Sequence, residues 1–336
     1  MVGPLTVMSE TLGPTAPDDV RCCAMDALSS LLAGPQAREA HLLRMQMTPP
    51  WALRIEDRAP LAVLVMVEGT ATITPDGADE PVFLEQGDAV VALGATPYLA
   101  ADRPGRAPQV LILPGDRCVD LSGADVSERM SLGVRSWGNS ADPESVMLIG
   151  TYQRPEAVSR RLLESLPGLL VLPAADQPEA FVDVLSAEMI KDEPGQTAVL
   201  DRLLDLLLIA VLRNWFTRHT ESAPGWYRAS ADPQIGRVLG LIHDHPDRPW
   251  TVSVLAAEVG VSRAALARRF GSMVGESPMS YLTGWRLALA ADLLREPDLT
   301  LETIARRVGY GSAFALSTAF KREHGVSPRD YRANAA

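Results

Sequence analysis

The stretch from Thr251 to Tyr331 contains one pattern twice, and this repeat constrains the fold more than any other feature. Residues of the first copy recur at an offset of 49 positions up to Gly260 and at an offset of 50 positions after it. The pairs 49 apart are Thr251 and Thr300, Ala256 and Ala305, Val259 and Val308, and Gly260 and Gly309. The pairs 50 apart include Leu266 and Leu316, Phe270 and Phe320, Gly275 and Gly325, Ser277 and Ser327, Pro278 and Pro328, and Tyr281 and Tyr331. The chain therefore carries a tandem pair of one structural unit, with one residue inserted in the second copy.

Each copy predicts a helix–turn–helix. In the first copy, Thr251 and Ser262 can cap two helices by accepting backbone N–H groups. Gly260 suits the left-handed backbone that ends the first of these helices. Leu266 and Phe270 lie one turn apart on the second helix and are expected to face inward. The second copy repeats these roles with Thr300, Gly309, Ser312, Leu316 and Phe320.

A longer helix is predicted between the two copies, over Ser277–Arg295. Ser277 can cap it, and Pro278 stands at the first helical position, where its missing N–H costs nothing. About 18 residues at 1.5 Å each give a rod of about 27 Å. Successive major grooves on one face of a duplex are about 34 Å apart. The spacing therefore suits two helices that enter adjacent grooves.

The motifs of the last hundred residues resemble the AraC/XylS transcription regulators. The resemblance is carried by Gly260-Val261-Ser262, Ser277-Pro278, Ile304-Ala305, Val308-Gly309-Tyr310, Phe320-Lys321, Gly325-Val326-Ser327-Pro328 and Tyr331-Arg332. It implies double-stranded DNA and RNA polymerase as partners, with the second helix of each copy in the major groove. The base-facing positions it implies are Arg263, Ala264 and Arg268 in the first copy, and Ala313, Phe314 and Thr318 in the second.

The remaining predicted DNA-binding residues complete this surface. Arg263 and Arg268 are expected to read base edges, Arg268 through bidentate contact with guanine. Phosphates are expected to meet positive side chains and the capped helix starts. These further residues are Ser262, Arg269, Ser312, Ser317, Lys321 and Arg322.

The charge distribution supports a nucleic-acid partner for the C-terminal part alone. From Trp226 onward the chain has 14 Arg and Lys against 11 Asp and Glu, a net of +3. The formal total is −11, so the preceding part carries −14. Only the C-terminal part has the sign that a phosphate backbone attracts. An all-helical interaction module that does not bind DNA is the alternative.

Length and composition predict a cytoplasmic protein of two or three domains. The chain has 336 residues, 47% of them hydrophobic and 22% charged, which is ordinary for globular domains. Three cysteines are too few for a disulfide framework, which favours a reducing compartment. The N-terminus lacks the basic and apolar segments of a secretory signal. The most apolar helix, 203–216, is too short for a membrane span and contains Asp205 and Arg213.

Short strands separated by Gly and Pro predict a barrel or jelly roll in the N-terminal part. Leu61–Val67 is apolar enough to be buried on both faces. The other predicted strands are Ala40–Met47, Thr70–Thr74, Val82–Leu84, Ala89–Leu93 and Val110–Leu113.

This part, roughly Ala40–Asp116, is similar to the cupin-type sensor domain of many AraC-like regulators. The similarity rests on Pro50-Trp51-Ala52-Leu53, Val67-Glu68-Gly69, Leu84-Glu85-Gln86-Gly87-Asp88 and Pro97-Tyr98. Metal-binding cupins use two or three His with a carboxylate. Of the five His of this chain, only His41 lies in the barrel region. We therefore expect a metal-free, cofactor-free pocket for a small-molecule effector and no enzyme activity. The alternative is a metal-dependent cupin enzyme fused to a DNA-targeting module.

Candidate sensor residues fall into two groups. Trp51, Met66 and Tyr98 are candidate effector contacts, with Arg54 as an anion partner. Core packing is the alternative for the first three, and an exposed charge for Arg54. The adjacent Cys22 and Cys23 could sense oxidants beside the positive charge of Arg21, or be incidental thiols.

The predicted architecture is an α+β multidomain protein. Residues 1–20 are expected to be a disordered tail and 21–150 a cupin-like sensor. Residues 151–222 are expected to be helical and to connect or dimerise, 223–233 to be a linker, and 234–336 to form the DNA-binding domain. The apolar stripe of Gln196–His219 is either buried in the sensor or the interface of a homodimer.

Overall fold

The computed structural model describes residues 41–94, 96–152, 166–176 and 179–335. The predicted N-terminal tail and the candidate redox pair Cys22 and Cys23 lie outside the described residues. In the described part, a sheet-rich N-terminal region is followed by a set of helices. No helix there combines the length and the apolar composition needed to cross a bilayer. The predicted α+β class is confirmed.

The described strands form two sheets. The strands are β1 His41–Met47, β2 Ala52–Ile55, β3 Leu61–Glu68, β4 Ala71–Pro75, β5 Val82–Leu84, β6 Ala89–Leu93, β7 Tyr98–Ala101, β8 Val110–Leu113, β9 Arg117–Asp120, β10 Ser131–Gly133, β11 Ser136–Gly138, β12 Ser145–Tyr152 and β13 Leu169–Leu172. One sheet has the order β10-β11-β1-β12-β3-β6-β13, and the other has the order β5-β4-β7-β2-β8-β9.

Strand β3 is buried on both faces, as its continuous apolar sequence predicts. Ala62, Leu64 and Met66 point into the space between the two sheets. Leu61, Val63 and Val65 point to the opposite face and pack against helices. The side-chain alternation of a strand divides these residues into two sets. β3 therefore contributes to two hydrophobic clusters at once.

The helices that cover the seven-stranded sheet are α1 Glu179–Met189 and α2 Gln196–Arg218. Leu204 of α2 lies directly over Gly150 of β12, where a Cβ would stand 2.3 Å from Leu204 Cδ1. Glycine at this position allows the helix to approach the sheet closely. One face of α2 is buried, through Leu200, Leu204, Leu207, Leu208, Val211, Leu212, Trp215 and Phe216.

Two of the expected segments differ from their descriptions in the sequence analysis. Residues 151–222 were expected to be helical, yet β13 lies there and pairs with β6 at the edge of the larger sheet. Residues 223–233 were expected to be a linker, yet they contain the helix α3, Gly225–Ser230. The aromatic ring of Phe216 stacks on Tyr227 at 4.5 Å and meets Trp226 edge-on at 6.1 Å. Buried aromatic contacts therefore fix this segment, which its Pro and Gly content did not reveal.

The C-terminal part contains the predicted tandem units. Its helices are α4 Pro233–Asp244, α5 Val252–Glu258, α6 Arg263–Val274, α7 Pro278–Leu293, α8 Leu301–Arg307, α9 Ala313–His324 and α10 Pro328–Ala335. Helices α5 and α6 form the first helix–turn–helix, and α8 and α9 form the second. Helix α7 connects them with 16 residues, a rod of about 24 Å. Gly260 and Gly309 have φ angles of 69° and 79°, which confirms the predicted left-handed turns.

Candidate nucleic-acid interface and N-terminal cavity

The second helix of each unit is oriented by its cap and its buried face. Ser262 Oγ accepts the backbone N–H of Ala265 at 3.2 Å, and Ser312 Oγ accepts that of Ala315 at 3.2 Å. The predicted caps are therefore confirmed. The inward residues Leu266, Phe270, Leu316 and Phe320 are all buried. This burial leaves the opposite faces of α6 and α9, here called the recognition faces, directed outward.

The predicted DNA-binding residues lie on these recognition faces with different exposures. In α6, Arg263, Ala264 and Arg268 are exposed, as is the cap residue Ser262. In α9, Phe314 has 82% of its surface exposed, which is unusual for a large apolar side chain on a folded helix. Thr318, Lys321 and Arg322 are also exposed, whereas Ser312, Ala313 and Ser317 are half-buried.

Four positive side chains on these helices have no carboxylate partner in the described part of the chain. The ion pairs found there do not include Arg263, Arg268, Lys321 or Arg322. Cations held on one face without a neutralising partner can attract a phosphate backbone. The electrostatic character predicted for this surface is therefore present at the side-chain level.

Arg269 differs from these four because it is already engaged. Its Nη2 pairs with Asp232, and its Nη1 donates to Gln234 Oε1 at 3.0 Å. Asp232 also caps α4 by accepting the N–H groups of Gln234 and Ile235. Although burial opposes ionisation, the hydrogen bonds from Ile235 and Arg269 hold the pKa of Asp232 below its usual value. Arg269 therefore joins α6 to α4, a contact that sequence spacing did not indicate.

A cavity of about 310 Å³ lies in the sheet-rich N-terminal region, lined by strands of both sheets. Its walls are mainly apolar, and several polar side chains are grouped among them. Its lining is His41, Leu43, Met45, Leu53, Ile55, Asp57, Tyr98, Ile112, Asp116, Cys118, Ser127, Ser131, Gly133, Arg135, Ser136, Trp137, Ile149 and Thr151. This size suits a small organic molecule.

Of the four candidate effector residues, Tyr98 alone lines this cavity. Trp51 and Met66 are fully buried in the core between the sheets. Arg54 forms a two-pronged ion pair with Asp76, with both N–O distances 2.5 Å. The Asp76 and Glu56 carboxylates raise the pKa of this guanidinium against the effect of its partial burial. Arg54 is thus held outside the cavity lining.

The polar residues of the cavity were missed in the sequence analysis, except for Tyr98. His41 Nδ1 lies 3.4 Å from Asp116 Oδ2. Burial raises the pKa of Asp57, and the neighbouring charge of Asp116 raises it further. Burial likewise raises the pKa of Cys118. The period-two alternation of β1, which puts His41, Leu43 and Met45 on one face, was the available signal.

The described side chains do not fit the metal centre of a metal-binding cupin. No group of three or more His, Cys, Asp or Glu is placed to hold a metal ion there. The acidic residues Asp57 and Asp116 share the cavity with a single histidine, His41. The facial sets of His and carboxylate that such enzymes use are therefore not assembled by these residues.

Comparisons with known proteins decide the family. A family model described as Cupin matches residues 26–217, and one described as a helix-turn-helix domain matches residues 255–334. A putative AraC-like transcription regulator of Streptomyces lividans is 33% identical over 92% of this chain and 98% of its own length. The chain belongs to the AraC-like transcription regulators.

Other relatives of this AraC-like regulator are similar in sequence over nearly the whole chain. A putative AraC-like transcription regulator of Streptomyces antibioticus is 32% identical over 92% of this chain and 98% of its own length. The transcriptional regulator AlkR of Acinetobacter baylyi is 27% identical over 92% of this chain and 99% of its own length. The protein is a DNA-binding transcription regulator with a cupin domain and a helix-turn-helix domain. The names of its relatives point to a non-enzymatic role.

Proposed function

We propose that this regulator reads a bipartite operator with the recognition faces of α6 and α9. The observation that carries the proposal is the pair of capped helices whose outward cations form no ion pair with a carboxylate of the described residues. In it, Arg263 and Arg268 contact base edges, and Ala264, Ala313, Phe314, Ser317 and Thr318 lie against the groove. Lys321 and Arg322 contact phosphates together with the helix starts at Ser262 and Ser312. The cytoplasm is the proposed location of this activity.

Arg269 has a different role in this proposal from the one its sequence position predicted. A phosphate contact would require its pairing with Asp232 to break. The proposal therefore assigns Arg269 to fixing α6 against α4. Arg269→Ala is expected to lower the stability of the DNA-binding part as well as its affinity.

The experiment compares Arg268→Ala with Lys321→Ala on duplexes selected by the wild-type protein from a random pool. Arg268→Ala should lose about 1–3 kcal/mol of preference at one base position. Lys321→Ala should weaken every duplex alike and flatten the dependence of affinity on salt. Fluorescence anisotropy over a salt series measures both effects. An equal loss on every sequence for both variants would contradict the assigned roles.

A second proposal is that the cavity between the sheets binds a small-molecule effector. Its volume and apolar walls support this role. The Tyr98 hydroxyl belongs to a buried residue and makes no hydrogen bond among the described residues. Asp57 and Asp116 lie on the same lining. A ligand with an apolar body and a hydrogen-bond donor or positive charge at one end matches these groups.

Native mass spectrometry of the purified protein tests this second proposal. It reports a retained ligand and the number of subunits together. Ile149→Trp should fill the cavity from β12 and abolish ligand retention. Phe83→Trp, at an exposed position on β5 outside the cavity, is the matched control and should retain the ligand. Retention by both variants would place the ligand elsewhere.

Homodimer formation is proposed through the outward face of α1 and α2. Leu206 remains 46% exposed although the opposite face of α2 is buried, and Val184 and Val199 are exposed to a similar degree. An apolar stripe on a helix is commonly covered by a second copy of the chain. Leu206→Glu should then shift the subunit number to one. An unchanged mass would exclude this face.

Two further parts of the proposal concern a redox signal and RNA polymerase. Cys22 and Cys23 remain candidates for an oxidant-dependent switch, and their joint replacement by Ser should abolish any oxidant-dependent change in DNA affinity. An unchanged dependence of DNA affinity on oxidant would exclude this switch.

RNA polymerase is the proposed partner through which the bound regulator alters transcription.

A further inference from the structure

Helix α7 is shared between two separate hydrophobic cores. Tyr281, Leu282 and Trp285 belong to the core that includes the first helix–turn–helix. Leu287, Ala290 and Ala291 belong to the core of the second unit, and the partly buried Leu289 packs against both cores. Arg286 lies between these two sets of residues in the sequence of α7. The buried residues before Arg286 therefore pack with the first unit, and those after it pack with the second unit. The position of Arg286 is called the junction below.

The guanidinium of Arg286 is bound by the first unit. Nε donates to the backbone oxygen of Pro246 at 2.7 Å, and Nη2 donates to that of Arg248 at 2.7 Å. Both oxygens lie in the loop between α4 and α5. Two donors at a fixed angle thus hold one loop, a geometry that the planar guanidinium provides and an ammonium does not.

The second unit rests on the same guanidinium through Gly309. A Cβ built on Gly309 would lie 2.6 Å from Arg286 Nη2 and 2.7 Å from the Pro246 oxygen. The turn between α8 and α9 therefore touches Arg286 and the loop that Arg286 holds. Burial at this junction lowers the pKa of Arg286, while nearby Tyr310 and Asp247 favour its charged form.

The equivalent turn of the first unit makes no such contact with the part of the chain that the structure describes. Gly260 occupies the matching position 49 residues earlier, with a φ of 69° against 79° for Gly309. A Cβ on Gly260 would meet no described atom within 4 Å. Both glycines are needed for a left-handed turn, but only Gly309 is also needed for close approach. A substitution at Gly260 therefore introduces backbone strain alone, whereas the same substitution at Gly309 also disrupts the contact with Arg286.

We propose that Arg286 is a positioning residue that sets the angle between the two recognition helices, and thereby the operator spacing that the protein accepts. This inference rests on the proposed binding of DNA by both recognition faces. Each unit can bind its own groove, but simultaneous binding requires one relative placement of α6 and α9. One extra base pair rotates the second site by about a tenth of a helical turn. A junction held by Arg286 rejects such a change, whereas a loosened junction tolerates it.

The experiment measures affinity for a spacing series. Duplexes selected by the wild-type protein from a random pool are rebuilt with one base pair added or removed between the two contacted segments. The wild-type protein should prefer the selected spacing by about tenfold or more, a difference of about 1.4 kcal/mol. Arg286→Lys keeps the positive charge but loses the planar pair of donors that binds the Pro246 and Arg248 oxygens. The preference of this variant for the selected spacing should fall to about twofold. Its affinity for the selected duplex should fall by a smaller factor than this preference does.

Gly309→Ala and Gly260→Ala form the matched pair of controls. Both introduce a side chain at a left-handed position, and thermal unfolding measures that cost in each. Gly309→Ala should flatten the spacing preference as Arg286→Lys does, whereas Gly260→Ala should keep it. Folded Arg286→Lys and Gly309→Ala proteins with the wild-type preference would overturn the proposal. Equal flattening by Gly260→Ala, or a wild-type protein indifferent to spacing, would overturn it as well.

Discussion

The carboxylate of Glu302 accepts the backbone N–H of Ala313, at 3.1 Å between Oε2 and N. This contact joins the second residue of α8 to the first residue of the recognition helix α9. A carboxylate at a helix start is stabilised by the helix dipole. The matching position of the first unit is Ser253, 49 residues earlier. The two units thus differ in charge beside the surfaces proposed to meet DNA.

Replacing Glu302 should separate its structural contribution from its charge. Glu302→Gln keeps an acceptor for the Ala313 N–H and removes a negative charge. We expect about twofold tighter binding to any duplex at low salt, with the gain disappearing as salt is raised. Stability should fall by about 0.3–1 kcal/mol. Anisotropy titrations and urea unfolding measure the two effects, and unchanged affinity at low salt would show that Glu302 lies away from the DNA.

Two phenylalanines of α9 should respond in opposite ways to truncation. Phe314 is almost fully exposed and Phe320 is fully buried. Phe314→Ala should change the free energy of unfolding by less than about 0.5 kcal/mol. It should weaken binding to the selected duplex about tenfold, because an apolar side chain in the groove can contact thymine methyl groups.

Phe320→Ala is the comparison and should cost about 3–5 kcal/mol of stability. Thermal unfolding and anisotropy on both variants give the contrast. A Phe314→Ala protein that binds as tightly as the wild type would remove Phe314 from the proposed interface.

The tandem units could be predicted from the sequence because their signals are local. Caps such as Ser262 act on residues three positions away, and the turn at Gly260 needs only its own backbone conformation. Helical periodicity likewise placed Leu266 and Phe270 inside. The recognition faces follow from these facts, since an exposed face is what remains when the buried one is known.

The cavity and the junction could not be predicted, because they depend on contacts between distant residues. Cys118 and His41 line one cavity only through the pairing and closure of strands far apart in sequence. Arg269 pairs with Asp232, 37 positions earlier. Its place on the exposed face of a helix could not indicate this ion pair, because the partner is distant in sequence. Strand β13 was missed because Leu169–Leu172 is four residues long, too short for its periodicity to separate strand from helix.

Cys118 should react slowly with alkylating agents. Burial raises the pKa of its thiol, and the negative charges of Asp116 and Asp125 raise it further despite a hydrogen bond with Ser127. The thiolate is the reactive form. In a protein with Cys22 and Cys23 replaced by Ser, reaction with iodoacetamide at pH 7.5 should be about tenfold slower than that of a free cysteine.

The charge contribution to this slow reaction has its own control. Asp116→Asn removes one of the two negative charges and should speed the alkylation. Mass spectrometry over a time course measures the rate for both proteins. A rate equal to that of free cysteine in the parent would mean that Cys118 is more accessible than its burial indicates.

Asp57→Asn should stabilise the protein at neutral pH. Burial raises the pKa of Asp57 in the folded state, and its Oδ1 accepts the Ala59 N–H at 3.0 Å. The folded protein therefore binds this proton more tightly than the unfolded chain does. Its stability falls as the pH rises from the unfolded pKa through the folded one. Asparagine keeps the acceptor without the charge, so the gain should be present at pH 7.5 and absent near pH 4.

Asp76→Asn should show the opposite pH dependence. The hydrogen bonds from Arg54 hold the pKa of Asp76 below its usual value. This pair therefore stabilises the folded state above the unfolded pKa, and the contribution is lost as the pH falls through the folded pKa. Asp76→Asn should be less stable than the wild type at pH 7.5 and approach it in acid. Urea unfolding of Asp57→Asn and Asp76→Asn at pH 7.5 and near pH 4 measures the change in unfolding free energy for each. Changes of the same sign at pH 7.5 in both variants would contradict the opposite pKa shifts of Asp57 and Asp76.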